Sequence, residues 1–105
     1  KTGQPMLILP YAIDTNDMKM WNAPAYTPKD WVDYLNDTLN VLYEEGAEVP
    51  RMMSLGLHLR IAGRPGRAAA LESFLERVNS KDDIWVATRA QIMEHWTKRF
   101  PPSNP

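Results

Sequence analysis

The stretch "SLGLHLRIAGRPGR", Ser54–Arg67, decides how the chain is read. Met53, Leu55, Leu57 and Leu59 alternate with Ser54, Gly56, His58 and Arg60, the period-two pattern of a strand with one apolar and one polar face. "AGRPG" then breaks the pattern, and Ala68, Leu71, Phe74, Leu75 and Val78 recur at helical spacing. The stretch is therefore predicted to be a strand, a tight turn and the entry to a helix.

Two similar units flank it. "MLILPY", Met6–Tyr11, is a short continuous apolar run, the pattern of a strand buried on both faces. The loop "AIDTNDMKMWNAPAY" follows. Thr27 then serves as a cap, Pro28 suits a first helical position, and Asp30 favours the positive end of a helix dipole. Trp31, Tyr34, Leu35, Thr38, Leu39 and Leu42 share one face of that helix, and Gly46 is expected as its left-handed stop. In the third unit "DIWVAT" reads as a strand, and Thr88 and Gln91 have the spacing of a capping box. Ile92, Met93, His95, Trp96 and Phe100 extend the last helix.

The resulting order is βαβαβα, an α/β chain with a parallel sheet and right-handed crossovers. Residues 1–100 form its body and 101–105, "FPPSNP" without its phenylalanine, a Pro-rich tail. Three strands leave two sheet edges unpaired and cannot close a barrel, so the chain is expected to be incomplete as a fold.

Composition excludes several classes. With 105 residues, 44% hydrophobic, 24% charged and a net charge of -1, it is an ordinary globular sequence. No basic excess is available to neutralise nucleic-acid phosphates. The absence of cysteine removes disulfides, thiolate metal sites and thiol nucleophiles together. No apolar run reaches membrane-spanning length, "KTGQPMLILPY" has no signal-peptide pattern, and a cytoplasmic location is expected.

In parallel α/β folds ligands gather at the carboxyl ends of the strands. Asp14, Asp17, His58, Arg60 and Arg64 all fall there and could converge on one mouth. A lone histidine in an apolar strand is most often a packed core residue. His58, however, lies on the polar face near the strand's end, where an imidazole oriented by a carboxylate can protonate a leaving group. Asp14 or Asp17 could supply that carboxylate, although "DTND" also reads as a simple turn. "GRPGR" is foremost a strand-to-helix connection, with Arg64 or Arg67 as candidates to hold a polar substrate group. Trp21 and Tyr26 could stack on a sugar or planar ligand. No His-x3-His or His-Glu-x2-His spacing supports a metal site, and His95 is expected to belong to its helix.

"PYAIDTNDM", "SLGLHLRIAGRPGRAAALESFLERV" and "DDIWVATRAQIMEHW", covering Met6 to Trp96, together resemble the C-terminal part of the NodB-type polysaccharide deacetylases, carbohydrate esterase family 4. The resemblance leans to the branch containing the metal-independent allantoinases of purine catabolism. It implies part of a deformed (β/α)7-type barrel that hydrolyses a C–N amide bond, either N-acetyl on an amino sugar or the ring amide of allantoin. The family's Asp-x-x-Asp-Trp motif maps onto Asp14–Met18, with Met18 in place of the usual tryptophan. Asp17 would then orient His58, and His58 would be the general acid; by their placement alone, Asp14, Arg60, Arg64 and Trp21 are the candidates to contact substrate. The family's N-terminal aspartates and His-x3-His pair have no counterpart here. The base would accordingly come from the remainder of the barrel, as another chain or segment, and so would any zinc or other divalent metal. On this reading the chain alone is inactive, and the complete enzyme is a homo-oligomer acting on a small-molecule or amino-sugar substrate, without nucleic acid or membrane. A non-catalytic assembly module is the alternative.

Overall fold

The computed structural model describes residues 5–101 and divides into two compact units, Tyr11–Asp82 and Lys1–Pro10 with Asp83–Pro105. All candidate site residues lie in the first. The tail expected at 101–105 falls, except for Pro101, outside the described residues.

Helices form where the sequence supplies starts for them. In α1, Pro28–Gly46, Thr27 accepts from the Asp30 amide while the Asp30 side chain accepts from the Thr27 amide, and Pro28 fills the first turn. Each bond satisfies an amide that helix geometry leaves without a partner. Trp31, Leu35 and Leu39 are buried along one stripe, whereas Tyr34 lies on the exposed side. The helix does not stop on a left-handed Gly46. Ala47 caps it in right-handed geometry, further turns carry the chain to Val49, and Pro50, which has no amide to donate, ends the run.

The alternation through Ser54–Arg60 holds only as far as His58. Leu59–Ala62 is a one-turn helix, α2, with His58 in extended geometry as its N-cap. Leu59 is consequently 94% exposed and Arg60 lies on a helix rather than on a strand face. The cause is not local: the Ala62 amide donates both to the His58 carbonyl and to a carboxylate forty-five residues earlier in the chain. Next comes α3, Pro65–Asn79, again with proline in its first turn. It packs on α1 through Phe74 and Val78, and Ile61, Ala62 and Met20 complete the core of this unit. Arg77 of α3 also donates to Asn40 of α1.

In the second unit α4, Arg89–Arg99, opens with the expected reciprocal capping box between Thr88 and Gln91. None of its residues is buried; Trp96 and Phe100 pack on each other, and His95 meets the edge of Trp85. The Arg89 guanidinium reaches the Leu9 carbonyl.

The three expected strands are not assembled into a sheet among the described residues. The one bridge among the described residues is parallel and joins Gly56 of the second expected strand to Asn16, in the loop after the first. "MLILPY" and "DIWVAT" carry no helix or strand, and Ile8 and Val86 are 78% and 70% exposed rather than buried. A strand exists only by pairing with a neighbour, and among the described residues no ladder joins these runs to another segment. The described residues are thus mostly helical.

Candidate active site

The single bridge is where the site is built. The Asp17 amide donates to the Gly56 carbonyl at 2.9 Å and the Gly56 amide to the Thr15 carbonyl at 3.1 Å. The Thr15 hydroxyl donates to the Ser54 carbonyl at 2.6 Å. Two segments some forty residues apart are thereby stitched side by side, with Thr15, Asn16 and Asp17 all buried. Gly56 leaves room for the Asn16 side chain: a Cβ there would stand 2.2 Å from its nitrogen, so one of the two would have to shift. Asn16 in turn accepts from the Met18 amide at 3.0 Å and starts a 3-10 turn, Asp17–Met20.

Asp17 and His58 face each other across this seam. Asp17 is fully buried, and its Oδ1 lies 2.7 Å from His58 Nδ1. Its Oδ2 accepts from the His58 amide at 2.6 Å and from the Ala62 amide at 3.2 Å. A carboxylate taken out of water is tolerable only when hydrogen-bonded in this way. The same three bonds fix its direction, so it acts as a rigid acceptor. Nδ1 must therefore carry the proton of the Asp17–His58 bond, which leaves Nε2 as the nitrogen that meets a reactant. The His58 side chain is 34% exposed, enough for that edge to be reached.

The other expected site residues are placed differently. Asp14 is exposed and accepts from the Tyr34 hydroxyl at 2.9 Å, which holds its carboxyl below the usual aspartate value and lifts the phenol above its own. It serves Tyr34 rather than His58. Arg60 and Arg64 are exposed, and among the described residues neither side chain makes a hydrogen bond. Trp21, 56% exposed, closes the 3-10 turn, and the arginine over its ring is Arg67, with Cζ 5.9 Å from the centroid. Tyr26 sits against Tyr34.

Thr15, Gly56 and the Ala62 amide carry the site's framework without any local signal that would have singled them out, while Tyr34 holds Asp14 apart from it. Among the described residues no three His, Cys, Asp or Glu side chains cluster to hold a metal ion. No helix among them is long and apolar enough to cross a membrane.

The chain as a whole has relatives among known proteins. A protein of Schizosaccharomyces pombe named "Putative polysaccharide deacetylase" is 46% identical over 98 residues, 91% of this chain and 31% of that protein. The chain belongs to the NodB-type polysaccharide deacetylase family. Solved structures of the family agree. The crystal structure of Puue allantoinase superposes with a TM-score of 0.93 at 44% identity, over 97% of this chain and 34% of that one. The "probable Polysaccharide deacetylase" of Pseudomonas aeruginosa PAO1 gives 0.88, also at 44% identity, over 90% and 32%. No family model matches. The chain spans about a third of the length of the deacetylase-family proteins it matches.

Proposed function

We propose that this chain supplies the general-acid half of an amide hydrolase site, with the water-activating half on further residues of a (β/α)7-type barrel. The observation that carries the proposal is the fully buried Asp17 held 2.7 Å from His58 Nδ1 and pinned by two backbone amides. Such an acceptor fixes the ring, selects the tautomer and stabilises the imidazolium without taking the proton itself. When water adds to the amide carbonyl, the tetrahedral intermediate collapses only if its nitrogen leaves protonated. His58 Nε2–H delivers that proton and is restored from solvent. Deacetylase and allantoinase relatives both cleave amide bonds, so this half of the chemistry is common to either substrate. Asp17 has already committed its oxygens to His58 and Ala62, so a divalent metal, where one takes part, would be held by residues outside this chain.

The test is His58→Ala in the full-length protein, assayed on an N-acetylated amino sugar and on allantoin. Turnover of whichever substrate is accepted should fall by about 10²- to 10⁴-fold, the usual worth of a positioned proton donor. The melting temperature should change little, because the space vacated by the partly exposed ring lets water reach and donate to Asp17 Oδ1. Asp17→Ala should differ by lowering both, because it strands the His58 and Ala62 amides, each at about 1–3 kcal/mol. Near-wild-type turnover in His58→Ala would overturn the proposal. The Puue allantoinase superposition favours the ring amide of allantoin as the second substrate to try.

A further inference from the structure

We infer that Arg67 is a positioning residue for the Asp17–His58 pair. The inference rests on the geometry of that pair and not on which amide it serves. Asp17 opens the 3-10 turn that ends at Trp21, and His58 opens α2, which ends at Ala62. The hydrogen bonds of the pair join the two segments at their starts. One guanidinium joins them at their ends: Arg67, from the first turn of α3, lies over the Trp21 ring and donates from Nη1 to the Ile61 carbonyl at 3.4 Å.

Neither segment can hold its own direction. Each is a single turn, too short for helix formation to be cooperative, and the Ile61 carbonyl has no donor inside α2, only the Gly63 and Arg64 amides of the turn beyond it and the Arg67 guanidinium. Trp21 is more than half exposed, so burial does not fix its ring, whereas Ile61 is fully buried and gives the brace a firm anchor. A planar guanidinium suits both tasks, since its face lies on the indole while its edge donates to a carbonyl. Lysine has no such fork. Arg64, three residues earlier, caps α3; its backbone amide donates to the Ile61 carbonyl at 3.4 Å, but its side chain makes neither contact. Without the brace the two turns are free to splay, lengthening the Nδ1–Oδ1 bond that aims Nε2.

The experiment uses the full-length protein with 15N-labelled histidine. The exchange rate of the His58 Nδ1 proton with water is read by NMR alongside kcat and KM. Arg67→Ala should speed that exchange and lower kcat by about ten- to a hundredfold, the scale expected when a reacting group is misplaced by a fraction of an ångström to an ångström. KM should hold. Trp21→Leu, which removes the other end of the brace and leaves α3 intact, should speed exchange similarly. The double variant should go no further than either single one. Arg77→Ala, which cuts the link between α3 and α1, is the control for loosening of α3 and should leave the His58 proton unchanged. Unchanged exchange in both Arg67→Ala and Trp21→Leu overturns the inference whatever happens to turnover. A raised KM with unchanged exchange also overturns it and makes Arg67 a substrate contact. If Arg67→Ala does not fold, the Trp21→Leu exchange rate decides alone.

Discussion

Two aspartates three residues apart meet opposite fates in this structure. Asp17 is buried and gives both oxygens to His58 and the Ala62 amide, while Asp14 stays in solvent and accepts from the Tyr34 hydroxyl. Sequence placed both at the mouth of the site, and spacing could not separate them, because burial depends on which neighbouring segment closes over each. The Tyr34 bond has a measurable consequence. It favours the charged form of Asp14, so the carboxyl titrates below its usual 3.8 in the folded protein. A carboxyl lowered on folding contributes stability above its unfolded value and loses it as pH falls through the folded one. The contribution is small, since the pair is exposed. Tyr34→Phe should therefore move the Asp14 carboxyl upward towards 3.8 in an NMR titration and leave the melting temperature at neutral pH nearly unchanged. An Asp14 titration that does not move would show that the phenol is not its partner in solution.

At the scale of elements, the starts of the long helices were legible and the site's own elements were not. Thr27 with Asp30 and Thr88 with Gln91 form capping boxes because all the atoms involved lie within four residues. The turn Leu59–Ala62 has no such local cause. Its amides are organised by Asp17, and alternation alone pointed to a continuing strand. For the same reason spacing leaves Arg64 and Arg67 of "GRPGR" as equal candidates: Arg67 reaches Ile61 and Trp21 only because α3 starts at Pro65 and turns it inward. Gly56 is the element-level weak point. Its missing Cβ is occupied by Asn16, whose side-chain nitrogen and carbonyl carbon would lie at 2.2 and 2.8 Å. Gly56→Ala must push Asn16 off the Met18 amide or part the bridge that sets Asp17 beside His58. Overpacking of this kind costs about 1–3 kcal/mol. A thermal melt should show a drop of roughly 4–8 °C per kcal/mol for a unit of this size. Adding Asn16→Ala should recover part of the loss, since it removes the two atoms in the way; an additive loss would mean that the overlap is not the cause.

At the scale of the molecule, "MLILPY" and "DIWVAT" have the pattern of parallel strands, yet here neither carries a strand, and Ile8 and Val86 meet solvent. Periodicity reports what a segment needs to bury, not whether the partner that buries it belongs to the same stretch of sequence. Apolar, strand-prone runs without ladder partners are sites of intermolecular pairing, and a net charge of -1 gives little repulsion to oppose it. The isolated 105-residue polypeptide should therefore show a mass that rises with concentration in light scattering and should bind an apolar dye. Ile8→Lys with Val86→Lys should suppress both, without loss of helical circular dichroism, because neither residue belongs to a helix. A monodisperse monomer that binds no dye would contradict this reading of the exposed runs. In the full-length protein the same two lysines should act in the opposite sense. If the proposed barrel covers Ile8 and Val86, each ammonium must be buried or its strand displaced, lowering stability by about 2 kcal/mol or more. Opposite signs for one pair of substitutions in the short and long polypeptides are what a chain that contributes strands to a larger barrel requires.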